Sequence, residues 1–453
     1  MKALNRSPDW AALEALLDSW FTAGLSRHSI LTFDSSQSSW ETGLFAASLF
    51  KRGAQSLRCF SSGEVRDLNH EAFNQLHSKT MTSTAVIARF DEFFAHPIFS
   101  DARTAVLCDS TFLRCHPKVE TRLKNSPVSY LKIECSEENK SLRTARGIFE
   151  AIPKNATRLI VMGGGICCDI GGFVAGMRAL EIHLVPTTLL AAVDAGLGGK
   201  TGVNHHRAGK NQIGLFVSIA SVFVVTEFLT TLQSSQLSEG LAEILKHAFL
   251  SGRQERWQEA IAILQHYSNA ADITWDDLRV LLMENLDFKK QVVAHDPFEK
   301  NIRALLNYGH TTAHLLEALI ASQKTGSMTT LTLSHGCAVA VGQLCFHRLG
   351  WAKEAPQEYP DALLTLLQQE SISLPLAALK AIEHTARGLL LQDKKNTHEA
   401  TAGLVRCVTP RYGCLEDLHN FKPNDLSSVV AENTTRIEVD VLLTQLQNAG
   451  LFS

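Results

Sequence analysis

The sequence predicts an α/β nucleotide-binding domain with a parallel sheet, followed by an α-helical domain. Three observations predict it. Strand-like and helix-like runs alternate up to about residue 225, a glycine-rich turn joins one of those strands to a helix, and long helices dominate beyond residue 235.

The elements follow in order. Residues 8–27 set Trp10, Leu13, Leu16, Leu17, Trp20 and Phe21 at helical spacing, with Pro8 suited to the first turn. The polar run 34–39 ends that pattern. TAVIARF and TAVLC, between Thr84 and Asp109, read as two strands with a loop between them. TRLIVM (157–162) reads as a buried strand and GGGICCDIGGFVAGM as a turn feeding a helix; EIHLVP and SVFVVTE are two further strands. This βα alternation predicts the parallel sheet. QLSEGLAEILKHAFL, WDDLRVLLMENLDFKKQVVAH, TTAHLLEALIAS and CAVAVGQLCFHRLGW read as long amphipathic or buried helices. The expected division is an N-terminal extension over 1–65, an α/β domain over 66–235 and a helical domain over 236–453.

Composition narrows the class. A chain of 453 residues exceeds one small core. A net charge of −3 leaves no nucleic-acid footprint, although local basic clusters can still hold an anionic small molecule. The ten cysteines form no CxxC pair and read as reduced thiols of a cytoplasmic protein. No window approaches the ~20 apolar residues that span a bilayer, and the N-terminus does not read as a secretory signal.

Four groups of residues carry chemistry. Gly163, Gly164 and Gly165 sit between a strand and a helix, where bare backbone amides and the helix N-terminus favour a pyrophosphate; a tight turn is the plainer alternative. Asp169 either joins that site or caps the helix. The stretch 185–214 (VPTTLLAAVDAGLGGKTGVNHHRAGKNQIG) combines Asp194, Lys200, Lys210 and Asn211 with closely spaced glycines, a mixture suited to phosphate or polyhydroxyl ligands. His205 and His206 read as exposed loop residues. Glu243, His310, His314 and His335 supply a carboxylate and three imidazoles. A Glu with two His leaves positions open for water or substrate, as a catalytic divalent metal requires. Spacing alone does not select two of the three histidines. Lys246, Lys289, Arg303, Asn307 and the run Asp393-Lys394-Lys395 add cations suited to a phosphorylated or carboxylated substrate.

These residues occur in motifs that resemble one family. GGGICCDIGGFVAG, VPTTLLAAVDAGLGGKTGVN, GKNQIG, LSEGLAEILKHAF, RALLNYGHTTAH, LSHG and DKK resemble the dehydroquinate synthase motifs in order and spacing, from roughly Thr104 to Lys395. The resemblance implies NAD and a divalent metal, zinc or cobalt, as cofactors. It implies Glu243, His310 and His335 as metal ligands. It implies Arg178, Lys200, Asn211, Lys246, Lys289, Arg303, Asn307, His314 and Lys394 or Lys395 on the substrate side. On the cofactor side it implies Asp109, Glu137, Lys140, Gly163, Gly164, Gly165, Asp169, Thr187, Thr188, Asp194, Lys200, Lys210, Phe228 and Thr231, with Glu137 and Lys140 drawn from the segment EENK.

The implied reaction converts a phosphorylated sugar acid, 3-deoxy-D-arabino-heptulosonate 7-phosphate, to 3-dehydroquinate in the shikimate route to aromatic amino acids. It runs through transient oxidation by NAD, phosphate elimination, re-reduction and intramolecular aldol closure. A cytoplasmic homodimer is the implied form. Related cyclases act on other sugar phosphates such as sedoheptulose 7-phosphate, and those making valiolone-type products tend to have proline where His314 stands; a metal-dependent polyol dehydrogenase is the further alternative. The chain departs from the family at Cys337, where HGE is common, at Gln236, where an acid is frequent, and at Cys167 and Cys168.

Overall fold

The computed structural model describes residues 31–34, 57–61, 64–68, 82–206, 209–253, 255, 258–262, 275–297, 299, 301–323, 333–368, 404–421 and 425–448. The helix expected over 8–27 and the run Asp393-Lys394-Lys395 lie outside the described residues. The chain divides into two compact units, Met1–Leu229 and Thr230–Ser453.

Strands β1 (Leu31–Asp34), β2 (Leu57–Ser61) and β3 (Glu64–Leu68) open the first unit as a small sheet, with β1 parallel to β2 and β2 antiparallel to β3. The main sheet has six strands, β4 (Ser83–Ile87), β5 (Thr104–Asp109), β6 (Ser129–Ile133), β7 (Arg158–Gly163), β8 (Glu181–Pro186) and β11 (Ile219–Val225), in the order β4-β11-β8-β7-β5-β6. Every neighbouring pair is parallel. The continuous apolar runs are explained by burial on both faces: Ala105 to Cys108 and Leu159 to Met162 are essentially inaccessible.

One face of this sheet rests on an aromatic core. Phe93, Phe99, Phe112, Phe223 and Phe228 pack there with ring centroids about 5 to 6 Å apart, within the range favoured by tilted and edge-on rings. Helices α1 (Leu142–Ala151) and α2 (Gly165–Arg178) pack against each other. Gly171 lets α2 approach the sheet, because a Cβ there would lie 2.5 Å from a Val161 methyl. The stretch expected to be a glycine-rich loop is instead an antiparallel hairpin, β9 (Lys200–His205) with β10 (Gly209–Phe216), lying on α2. His205 is correspondingly buried rather than exposed.

The second unit is built on α3 (Ser234–Ser251), α4 (Trp275–His295), α5 (His310–Gln323) and α6 (His335–Arg348). Gln236 works as a cap: its side chain accepts from the Gln233 N–H while the Gln233 side chain accepts from the Gln236 N–H. An amide therefore does here what a carboxylate commonly does at this position in the first turn. Phe249, Tyr308 and Tyr359 form the aromatic centre of the unit. Beyond the expected helices, an antiparallel pair, β12 (Leu404–Val408) and β13 (Thr434–Glu438), lies inside this mostly helical unit.

Candidate functional site

In the first unit the chain order reverses at β5, with β6 on one side and β7 on the other. Open parallel sheets bind ligands outside the carboxyl ends of strands at such a switch point. The residues there are Asp109, ending β5, and Gly163, ending β7; a Cβ on Gly163 would approach Asp109 Cβ to 3.1 Å. Burial raises the Asp109 carboxyl above its ordinary range, while its Oδ1 accepts from the Thr111 N–H at 2.9 Å.

Gly164 is the N-cap of α2 and has no side chain to satisfy the first-turn amides, which leaves them facing outward for an anion. Thr188 borders this turn, 3.3 Å from where a Gly164 Cβ would be, and Thr187 donates its N–H to Gly163 O at 3.0 Å. Asp194 lies on the short π-helical turn Ala191–Ala195, whose Ala195 would meet a Gly165 Cβ at 3.5 Å. Cys167 and Cys168 are buried behind the turn, their thiols directed at Met162 O and Gly163 O, and burial holds the Cys168 thiol far above its ordinary range.

Glu137, Lys140, Lys210 and Asn211 meet around Asn204, which no motif singles out. Asn204 Nδ2 donates to Glu137 Oε2 at 2.9 Å, its N–H donates to Lys140 O at 2.7 Å, and its Oδ1 accepts from the Asn211 N–H at 2.8 Å. Lys210 Nζ stands 3.9 Å from Glu137 Oε2. Lys140 is buried and forms an ion pair with Asp169. Asp169 is thus an ion-pair partner rather than a helix cap. Lys200 is exposed at the start of β9.

Two residues fall away from this group. Arg178 is at the far end of α2, roughly 20 Å of helix from the glycine turn. Its guanidinium donates to the carbonyls of Phe149, Ile152 and Pro153 and lies 5.1 Å from the centre of the Phe149 ring. These contacts clamp the end of α1. Phe228 packs in the aromatic core with Phe93 and Phe112, and its backbone carbonyl contacts His116 Nε2 at 3.2 Å.

In the second unit Glu243, His310 and His335 each offer a ligand atom, all within 4.8 Å of one another. Glu243 is fully buried; Oε2 accepts from Lys246, one turn along α3, while among the described residues Oε1 has no hydrogen-bond partner and lies 3.9 Å from His310 Nε2. A buried carboxylate oxygen without a donor is costly, and a divalent cation is the partner that fits it. His310 Nδ1 contacts Tyr308 O at 3.3 Å and His335 Nδ1 contacts Glu317 Oε1 at 3.0 Å. Both imidazoles therefore present Nε2 as the ligating nitrogen. The His314 ring is 5.8 Å from His310 and 6.5 Å from His335, and His314 does not belong to the close group of three.

Gly336 explains how His335 gets there. A Cβ at this position would fall 2.3 Å from Glu239 O, one turn before Glu243, so only glycine lets the start of α6 lie against the α3 backbone. Lys246, Lys289 and Arg303 are buried cations of this unit. Arg303 Nη1 donates to Pro297 O at 2.6 Å, and Asn307 Nδ2 to Glu299 Oε1 at 2.6 Å. Glu299, with a φ of 56°, and Glu317 were both missed at the sequence level. Glu317 carried a readable signal, since it stands seven residues after His310 on the same helical face. Cys337 is buried on α6, and the carboxylate reaching His335 comes from α5. Thr231 is exposed.

Residues 130–239 match the model of the 3-dehydroquinate synthase N-terminal domain, and residues 240–396 that of the C-terminal domain. The chain belongs to the 3-dehydroquinate synthase family. A 3-dehydroquinate synthase from Caldanaerobacter subterraneus subsp. tengcongensis is 31% identical over 345 residues, 73% of this chain and 90% of that protein. A bifunctional 3-dehydroquinate synthase/phosphatase from Fusobacterium nucleatum subsp. nucleatum is 32% identical over 277 residues, 60% of this chain but only 40% of that protein. The fold is that of the family's solved relatives: ValA (2-epi-5-epi-valiolone synthase) from Streptomyces hygroscopicus subsp. jinggangensis 5008, solved with NAD+ and Zn2+ bound, superposes with a TM-score of 0.61 at 21% identity, covering 83% of this chain and 97% of that one. Among the described residues no helix is long and apolar enough to cross a membrane.

Proposed function

We propose that this chain is a 3-dehydroquinate synthase: a phosphate-eliminating, carbon–oxygen lyase that uses NAD and a divalent metal, zinc or cobalt, to convert 3-deoxy-D-arabino-heptulosonate 7-phosphate to 3-dehydroquinate and phosphate. The observation that carries the reading is the buried Glu243 with one donorless oxygen facing His310 and His335. When bound, the metal supplies Lewis acidity and NAD a reversible hydride acceptor.

The residues of the chain do the rest. Glu243, His310 and His335 hold the metal. The uncapped amides after Gly164, bordered by Thr187, Thr188 and Asp194, receive the cofactor pyrophosphate, with Asp109, Glu137, Lys140, Asp169 and Lys210 around them. Lys200, Asn211, Lys246, Lys289 and Arg303 provide the positive and polar field for the substrate's phosphate and carboxylate. His314, one turn from His310 on the same face, supplies a neighbouring imidazole for hydrogen bonding or proton transfer. We include Lys394 and Lys395 on the substrate side, and a domain division into 1–65, 66–235 and 236–453, as parts of the same proposal.

A second reading has support in the solved valiolone synthase of the same fold: a cyclase for an uncarboxylated sugar phosphate. His314 with Arg303 and Asn307 favours the carboxylated substrate. Phosphate release from the heptulosonate phosphate and from sedoheptulose 7-phosphate, each with and without a chelator, separates the two. We expect chelator-sensitive release from the first and no net change at the nicotinamide absorbance band. Turnover of sedoheptulose 7-phosphate alone defeats the dehydroquinate assignment, and net NADH release points to a polyol dehydrogenase.

A further inference from the structure

We propose that Glu317 is a positioning residue for His335: it fixes the tautomer and aim of that imidazole, so that this chain's metal affinity depends on a carboxylate supplied from α5. The inference rests on the reading of Glu243, His310 and His335 as metal ligands.

The argument begins with the helix. His310, His314 and Glu317 stand at i, i+4 and i+7 on α5 and share one face. That face meets the start of α6, because Ala313 packs with Leu333, Ala338 and Val339. The packing brings Glu317 Oε1 to 3.0 Å from His335 Nδ1, although neither residue is adjacent to the other in sequence. An ionised carboxylate accepts and cannot donate, so Nδ1 carries the proton and the Nε2 lone pair is available for metal. The same bond increases the basicity of the ligating nitrogen and stops the ring from rotating about its exocyclic bond.

His310 is held differently. Its Nδ1 contacts the backbone carbonyl of Tyr308, which no side-chain substitution can remove. Glu243 is held through Oε2 by Lys246. At the outer nitrogen of His335 stands an ionisable side chain from a different helix. Gly336 fixes how closely α6 lies on α3, but it does not set the rotation of the His335 ring. The acidic residue common two positions after this histidine is replaced by Cys337, which is buried and donates its backbone N–H to Ser334 Oγ. Support for the imidazole comes from Glu317.

The test is metal affinity, measured on the full chain by competition with a chromophoric chelator for Zn2+, together with the visible absorption spectrum of the Co2+ form. Glu317→Ala is expected to weaken the zinc Kd by roughly 10- to 100-fold and to alter the cobalt spectrum. Glu317→Gln keeps an acceptor oxygen and is expected to recover part of the affinity. Thermal melting in excess chelator reads the structural contribution of the same side chain separately. A Glu317→Ala protein with wild-type zinc affinity and an unchanged cobalt spectrum overturns the inference, even if it melts earlier. Should the alanine variant fail to melt cooperatively, Glu317→Gln decides, and a wild-type Kd there is equally fatal. Failure of the wild-type protein itself to bind Zn2+ or Co2+ defeats the metal-site reading, and this inference with it; that result is distinct from a wild type that binds and a variant that binds as well.

Discussion

Lys140 and Asp169, 29 residues apart, form an ion pair that fastens the turn after β6 to the helix leading from the glycine turn. Lys140 is almost wholly enclosed, with a side-chain exposure of 5%, whereas Asp169 retains 21%. Its backbone carbonyl meanwhile accepts from the β9 residue Asn204. One residue thus ties three segments around the candidate cofactor cradle.

Replacing Asp169 by Asn would leave the Lys140 ammonium buried beside a neutral amide. Breaking an enclosed pair from one side costs more than the pair contributes, since the remaining charge keeps its desolvation penalty. We expect Asp169→Asn to lower stability by roughly 3 kcal/mol and to weaken NAD binding. Lys140→Met, which removes the charge with similar volume, should be milder in the melt yet still lose NAD affinity. Denaturant melts with NAD calorimetry check both; a harmless Asp169→Asn would mean that the pair is solvated and plays no part.

The Arg178 clamp makes a separable prediction. A lysine can keep the charge but cannot send a planar fork to the carbonyls of Phe149, Ile152 and Pro153. Arg178→Lys should therefore cost roughly 2 kcal/mol of stability while leaving the zinc affinity of the second unit unchanged. Equal melting temperatures for the two proteins would show that the clamp contributes nothing.

At Gly336 the expectation combines packing with metal binding. A methyl group there would meet the backbone of Glu239 at 2.3 to 2.7 Å, far inside van der Waals contact, and backbone cannot step aside as a flexible side chain can. Gly336→Ala should push α6 from α3, costing roughly 1–3 kcal/mol, and should carry His335 away from Glu243. A lower melting point with weaker zinc binding is the expected pair of results. Weaker melting with unaltered zinc affinity would separate helix contact from ligand placement.

Much of this was readable in the chain itself. Strands β5, β7, β8 and β11 announced themselves as short apolar runs, and burial on both faces is the physical reason they read so clearly. His310 and Glu243 stood out because side chains that could hold a metal belong to few residue types. The β9–β10 hairpin stayed hidden because Gly202, Gly209 and Gly214 and its polar residues carry turn chemistry inside a strand pairing fixed by tertiary contact. The contacts of Arg178 were hidden for a different reason. An arginine matching a substrate position gives no sign, in sequence, that three carbonyls already occupy its guanidinium. Glu299 and Glu317 look like surface carboxylates until Asn307 and His335 are seen beside them.

The last prediction concerns pH. Burial lowers the basicity of His183, and the same cause acts on His116 and His347. His183 sits between Ser221 Oγ at 2.6 Å and Glu181 Oε1 at 2.8 Å. The Glu181 carboxylate pulls its basicity up, but enclosure outweighs this, with Arg158 and His96 acting in the same direction as enclosure. The sign then follows. Above the ordinary histidine range, near 6.5, the rings are neutral in folded and unfolded chain alike and contribute no pH dependence. Below it the unfolded chain takes up protons that the folded one resists, so stability falls as pH falls. The decline should begin near pH 6.5, well before carboxylates protonate at about pH 4. Melting curves of the metal-free protein between pH 7.5 and 5 would show it. His183→Gln, which retains a polar partner for Ser221, should make the slope shallower in that window, and an unchanged slope would remove His183 from the cause.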